Sequence, residues 1–109
     1  MSDEVLSALA ETIKARRLAT SEASYTRSLL DGGPQRCAKK FGEEAVETVI
    51  AATAQDDGAL KAEAADVLYH LLVLLESRDV ALADVLDLLR ARMGVSGHVE
   101  KAARPQHNG

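Results

Sequence analysis

The sequence predicts an all-α domain, a bundle of about five helices built around a central antiparallel pair, and two observations support this class. Alanine and leucine are abundant while aromatic residues make up only 3% of the 109 residues, and no stretch alternates with the period of two that a strand requires. Apolar residues recur at helical spacing, and turn-forming residues separate the periodic segments. One domain of packed helices accounts for this pattern.

The start and stop signals of the first helices are local. The expected helices cover about residues 3–18, 24–30, 34–54, 59–77 and 82–92. The first presents Leu6, Leu9 and Ile13 on one stripe. The second ends at Gly32-Gly33, and Pro34 opens the third in its first turn, where a fixed φ near −65° suits a helix.

The remaining elements follow from the turns between them. Gln55-Asp56-Asp57-Gly58 predicts a turn short enough to make the third and fourth helices antiparallel neighbours. Arg78-Asp79 leads into the fifth helix. The domain should span residues 1–93, and the Gly-, Ser-, His- and Pro-containing segment 94–109 is expected to be a mobile tail.

Charge and cysteine content exclude several classes of protein. The net charge is −4, with 13 basic against 17 acidic residues, which argues against a nucleic-acid-binding surface. Cys37 is the only cysteine and has no disulfide partner in the chain, as is typical of a reducing compartment. The N-terminal segment lacks the apolar run of a signal peptide, and the most apolar run, 67–75, has about half the length that spans a membrane. A cytoplasmic protein without a membrane partner is expected.

Two acidic clusters lie in otherwise apolar helical segments. They are Glu43-Glu44-x-x-Glu47 and Glu63-x-x-Asp66. Each falls within one sector of its helix, and antiparallel pairing can bring the two sectors face to face. Carboxylates gathered among aliphatic side chains need a cation or a proton, because an unpaired buried charge is unfavourable. The clusters therefore indicate a metal site.

Oxygen ligands select Mg²⁺, Mn²⁺ or Ca²⁺ over zinc, and Mg²⁺ commonly shares its ligands with substrate phosphates. A nucleotide polyphosphate is the expected ligand. Two alternatives remain at this point. The acids could be ordinary solvated helix positions, or they could form a ferritin-like di-iron site, although that site uses Glu-x-x-His pairs and His70 follows Asp66 by four residues.

Three basic residues precede the first acidic cluster on the same helix. Arg36, Lys39 and Lys40 lie one to two turns nearer its N-terminus. Cations at a helix start oppose the macrodipole, and phosphate oxygens bound there would resolve the conflict. The alternative is a pair of i,i+4 salt bridges, one between Lys39 and Glu43 and the other between Lys40 and Glu44.

Longer motifs resemble one family. The segments Ser24-Tyr25-Thr26, Lys39-Lys40-x-Gly42-Glu43-Glu44 and Tyr69-His70 resemble phosphoribosyl-ATP pyrophosphatase of histidine biosynthesis. The Glu-Glu-x-x-Glu and Glu-x-x-Asp signature by itself marks the wider superfamily of all-α nucleotide pyrophosphohydrolases, which includes the MazG type. The resemblance covers about residues 6–92.

The resemblance implies Mg²⁺-dependent hydrolysis of phosphoribosyl-ATP to phosphoribosyl-AMP and pyrophosphate. The metal would be held by Glu44, Glu47, Glu63 and Asp66. A neighbouring carboxylate such as Glu43 would deprotonate the attacking water, and Arg36, Lys39 and Lys40 would hold phosphates that do not react. A housecleaning nucleoside triphosphate pyrophosphohydrolase and a non-catalytic helical dimerisation module are the alternative functions.

Three further residues carry expectations. Cys37 should be a small core residue. His70 should either orient a ligand carboxylate or be a hydrogen-bonded core histidine, and Tyr69 should pack within the domain or across an oligomer interface. Because the fourth helix is apolar in nearly every direction, a homodimer or a higher even oligomer is expected.

Overall fold

The structure, a computed structural model, describes residues 3–20 and 24–94, and within these ranges it is helical with no strand. The helices are α1 (Asp3–Ala15), α2 (Tyr25–Asp31), α3 (Gly33–Ala54), α4 (Asp57–Ser77) and α5 (Leu82–Met93), and a 3-10 turn (Arg16–Leu18) extends α1. The predicted all-α class and its five helices are confirmed. The prediction of a mobile tail concerns residues that, beyond Gly94, lie outside the described ranges.

The junction between α2 and α3 forms as its sequence predicts. The Ser24 hydroxyl begins α2 by accepting a hydrogen bond from the Arg27 N–H at 3.1 Å. Gly32 ends α2, and Gly33 adopts a φ of +81°, a left-handed conformation that only glycine enters without strain. Pro34 then stands in the first turn of α3. This sharp junction places the start of α3 beside α2.

The α3–α4 hairpin dominates the fold, and its turn is tighter than the sequence suggested. Asp56 caps α4, because its carboxylate accepts a hydrogen bond from the Ala59 N–H at 2.9 Å. The helix therefore begins at Asp57, two residues before the predicted start, and the expected turn over 55–58 shortens to Gln55 and Asp56. The cap extends the helix over two residues that composition alone assigned to the turn.

The hydrophobic core lies where α1 and α2 pack against the hairpin. Its fully buried apolar side chains come from four helices and are Ile13, Leu29, Cys37, Leu72 and Val73. The Cys37 thiol donates to the Leu29 carbonyl at 3.3 Å, and burial raises the pKa of this thiol. The expected core role of Cys37 is confirmed.

The end of α4 is closed by a left-handed residue that is not glycine. Asp79 has a φ of +57°, and the Val80 N–H donates back to the Leu75 carbonyl at 3.0 Å. Arg17 braces this end, since its guanidinium donates to the Asp79 carboxylate at 2.9 Å and bonds Glu76. The chain then enters α5, which packs on α1 and buries no residue fully.

The part of the hairpin nearest its turn buries fewer side chains than the part that packs against α1 and α2. We call residues 44–66 the hairpin tip, and the flanking residues 33–43 and 67–77 the hairpin base. Ala51 is the one fully buried residue of the tip, whereas Val46 is 58% exposed and Val49 62% exposed. None of the helices in the described ranges has both the length and the apolar character needed to cross a bilayer.

Candidate active site

Carboxylates from both helices of the hairpin meet at the tip. Glu44 of α3 faces Glu63 and Asp66 of α4, and one oxygen from each lies within 4.8 Å of the others. Glu44 and Glu63 are half-buried, and Asp66 is exposed. These three residues form what we call the acidic cluster. Antiparallel packing has therefore brought the two predicted acidic sectors face to face.

The surroundings of Glu63 in the acidic cluster disfavour the charged form of its carboxyl group. Partial burial raises the pKa of the Glu63 carboxyl, and the negative charges of Glu44, Asp66 and Glu47 raise it further. A hydrogen bond to Glu44 acts in the same direction. A bound cation would reverse this effect, because it stabilises each carboxylate in its charged form.

The geometry of the acidic cluster fits a hard divalent cation. Two oxygen atoms bound to one Mg²⁺ at about 2.1 Å are separated by at most about 4.2 Å. The cluster oxygens lie within 4.8 Å of one another, so the three side chains would move closer together to bind one ion. The donors are all carboxylate oxygens, which favour Mg²⁺ or Mn²⁺ over zinc.

The other two predicted acidic residues lie at the edges of this cluster. Glu47 is exposed on the next turn of α3, close enough for its charge to act on Glu63. Glu43 is also exposed and points toward the basic side of α3. The structure thus brings three of the four predicted metal ligands together and leaves Glu47 beside them.

The three predicted phosphate-binding residues converge on a neighbouring cleft. Arg36, Lys39 and Lys40 of α3 line it together with Tyr25 and Leu29 of α2, and its volume is about 400 Å³. Glu43 stands at its rim. We call this the basic cleft.

Close packing at the helix junction holds one wall of the basic cleft. A Cβ added to Gly32 would lie 2.4 Å from Cδ of Arg36. The arginine side chain therefore lies across the glycine, and the absence of a side chain at this position is what lets it do so.

Lys40 connects the basic cleft with the acidic cluster. Its ammonium lies 3.3 Å from the Glu44 carboxylate and 3.7 Å from that of Glu43. The hydrogen bond with Glu44 raises the pKa of Lys40, and nearby Tyr25 and Glu43 contribute in the same sense. Of the two salt bridges proposed as an alternative to phosphate binding, the one from Lys40 to Glu44 is present, and Glu43 also pairs with Lys40 instead of Lys39.

An ordered pair of polar side chains joins the floor of the basic cleft to the acidic cluster. His70 is buried, and its Nδ1 lies 2.9 Å from the Asp66 main-chain carbonyl. A carbonyl can only accept, so Nδ1 carries a proton, and Nε2 on the other side of the ring lies 3.4 Å from the Tyr25 hydroxyl. His70 thus bonds the main chain of Asp66 and not its carboxylate, and the core-histidine interpretation is the correct one.

Aromatic packing fixes the position of Tyr25. Tyr69 stacks on Tyr25 with ring centroids 6.4 Å apart and meets the His70 ring edge-on at 4.8 Å. The Tyr69 hydroxyl bonds Thr26, so this side chain packs inside the protomer. No role for Tyr25 follows from the sequence alone, although it lies in the Ser-Tyr-Thr motif, because only the fold brings α2 against the basic side of α3.

The acidic cluster can hold a divalent cation, and the basic cleft can hold anionic groups within one or two helical turns of it. Fold and site together describe a small all-helical protein suited to a phosphorylated ligand that carries a metal ion.

Comparisons with known proteins give the family. The sequence profile of the family described as phosphoribosyl-ATP pyrophosphohydrolase matches residues 6–93. A phosphoribosyl-ATP pyrophosphatase of Cereibacter sphaeroides is 56% identical over 100 residues, which cover 92% of this chain and 97% of the relative. One from Dinoroseobacter shibae is 57% identical over 100 residues, covering 92% and 98%. Phosphoribosyl-ATP pyrophosphatase 1 of Bradyrhizobium diazoefficiens is 58% identical over 98 residues, covering 90% and 92%. The chain belongs to the phosphoribosyl-ATP pyrophosphohydrolase family.

Proposed function

We propose that this protein hydrolyses phosphoribosyl-ATP to phosphoribosyl-AMP and pyrophosphate in histidine biosynthesis, with Mg²⁺ as its cofactor. The observation that carries the proposal is the acidic cluster lying directly beside the basic cleft, with Lys40 touching both. Family membership supports the choice of substrate.

The residues divide the work by charge. Glu44, Glu63 and Asp66 would hold Mg²⁺, with Glu47 available from the next turn. When bound, Mg²⁺ would neutralise charge on the α- and β-phosphates and lower the pKa of a water molecule bound to it. Once the ion is bound, these carboxylates would hold it in place as charge develops on the phosphates.

The basic cleft would position the rest of the polyphosphate. Arg36 offers a planar fork of donors for phosphate oxygens, while Lys39 and Lys40 act as point charges. Glu43, exposed at the rim of the cleft, would accept the proton of the attacking water. Fixing the phosphates relative to the acidic cluster sets the line of attack at the α–β bridge.

The test is an assay of pyrophosphate release. Phosphoribosyl-ATP should be hydrolysed far faster than any canonical or noncanonical nucleoside triphosphate in a parallel panel, and the reaction should stop when a chelator removes divalent ions. Preferential hydrolysis of a noncanonical triphosphate would instead support the housecleaning function. Activity that persists at full rate in the chelator would contradict the metal assignment.

We also propose that the protein works as a homodimer or a higher even oligomer. The support is exposed apolar surface on both helices of the hairpin. Val46 and Val49 expose it at the tip on α3, and Leu68 exposes it next to the tip on α4. Self-association is an effective way for a small helical domain to cover such surface. Sedimentation at micromolar concentration should give at least twice the protomer mass, and a folded monomer would contradict the proposal.

A further inference from the structure

One hydroxyl group bridges the two helices at the level of the acidic cluster. Oγ1 of Thr48, a half-buried residue of α3, lies 2.9 Å from the Glu44 carbonyl and 3.2 Å from the Glu63 carbonyl. The first acceptor belongs to its own helix, one turn back. The second belongs to α4, across the hairpin. Both acceptors are the main-chain groups of residues whose carboxylates meet in the acidic cluster.

This arrangement differs from that of two other threonines within helices. Thr12 and Thr53 donate to carbonyls of their own helices, at 3.0 Å to Ala8 and 2.8 Å to Val49, and both are exposed. Such local back-bonding is the ordinary behaviour of a threonine inside a helix. The contact from Thr48 to the opposite helix is what local sequence does not account for.

The bridge lies in a part of the hairpin where few side chains are fully buried. Ala51 is the one fully buried residue of the tip, and the carboxylates of Glu44, Glu63 and Asp66 repel one another across the gap. The Thr48 hydroxyl has one hydrogen, which is shared between the two carbonyls, and its contact with Glu63 links the helices at the level of these carboxylates. This link opposes the repulsion between them.

We propose that Thr48 is a positioning residue, which sets the separation of Glu44 and Glu63 and thereby the affinity of the acidic cluster for a divalent ion. The inference rests on the proposed function, since it assigns the cluster to Mg²⁺. Thr48 would act through the main chain of two ligands and touch neither the ion nor the substrate.

The experiment is a Mg²⁺ titration of the full chain by calorimetry, with the metal-dependent rise in melting temperature as a second readout. Thr48→Val keeps the shape of the side chain and removes the hydroxyl, Thr48→Ser keeps the hydroxyl, and Thr53→Val removes an exposed hydroxyl that bonds only its own helix. We expect Thr48→Val to weaken Mg²⁺ binding about tenfold, as loss of an outer partner of a metal ligand commonly does. Thr48→Ser and Thr53→Val should bind Mg²⁺ as the wild type does.

The results separate the two hypotheses. If the wild type shows no binding of Mg²⁺, the metal site and the role of Thr48 both fail. If the wild type binds Mg²⁺ and Thr48→Val stays within about twofold of it, only the role of Thr48 fails, even when the variant is less stable. An equal loss in Thr53→Val would also overturn it. Thr48→Ala serves as a second test should the valine variant not fold.

Discussion

The base and the tip of the hairpin are built from the same two helices but are covered differently. The base meets α1 and α2, and its buried side chains Cys37, Leu72 and Val73 belong to the core. The tip buries Ala51 alone and carries the acidic cluster with exposed aliphatic side chains around it. The hydrophobic core and the candidate metal site thus lie at opposite ends of one hairpin. Substitutions should separate along the same line.

The strongest test of this separation removes a carboxylate from the tip. Asp66→Ala or Glu47→Ala should lower kcat/KM on the order of a thousandfold, which is about 4 kcal/mol of transition-state stabilisation, because metal-assisted charge stabilisation is lost. The helical content should be retained, and the melting temperature of the metal-free protein should be unchanged or higher, since like-charge repulsion is relieved. Steady-state kinetics beside circular dichroism melts measure both. Wild-type turnover in either variant would remove that residue from the site.

A second pair of variants compares the two ends directly. Leu29→Ala, against the base, should destabilise the fold by about 2–5 kcal/mol, because it opens a cavity in the core. Val49→Ala, at the tip, should stay within about 0.5 kcal/mol when unfolding is measured with urea at low protein concentration. It should instead weaken self-association in sedimentation. Equal losses of stability at the two positions would show that the tip has a core of its own.

The basic cleft lies in the base, within one or two helical turns of the acidic cluster, and its lysines sharpen the comparison. Lys39→Ala and Lys40→Ala should each reduce substrate binding or turnover by about one to a few kcal/mol if they hold phosphates. If they act only as surface salt bridges, each should change stability by no more than about 0.5 kcal/mol and leave kinetics unaltered. Kinetics with parallel melts decide between the two, and wild-type kinetics in both variants would exclude the phosphate-binding role.

The smallest expected effect is a pH dependence within the acidic cluster. The pKa of Glu63 is raised in the folded chain, so the fold binds this proton more tightly than the unfolded chain does. Stability therefore falls as pH rises from the ordinary glutamate value of about 4.3 through the raised value. Glu63→Gln should remove that loss.

Metal-free melts across pH check this prediction. The Glu63→Gln variant should match the wild type below the ordinary carboxyl pKa and melt at a higher temperature near neutrality. An offset that stays constant at every pH would mean that the substitution acts through packing and not through charge.

The sequence predicted the elements well because their boundaries depend on adjacent residues. The junction at Gly32, Gly33 and Pro34 formed as expected, since backbone preferences there are local. The start of α4 was misplaced by two residues, because the sequence alone does not distinguish an aspartate that caps a helix from one that lies in a turn. Periodicity also predicted which carboxylates could face one another.

Contacts between helices could not be predicted from the sequence alone. The contact of Thr48 with Glu63 and that of Tyr25 with His70 depend on how far each helix is rotated about its axis. That rotation is set by the packing of the whole core. A single sequence shows which residues share a face but not which atoms on the opposite helix they reach.

The short connection between α3 and α4 also has a kinetic consequence. The acidic cluster joins residues of consecutive helices, Glu44 and Asp66, whereas the core joins Ile13 to Val73 across most of the chain. Closing the shorter loop loses less chain entropy, and local helical contacts form fastest during folding. The arrangement of carboxylates can therefore begin to assemble in the hairpin before α1 docks. We therefore expect the geometry of the site to form before the packing that stabilises it.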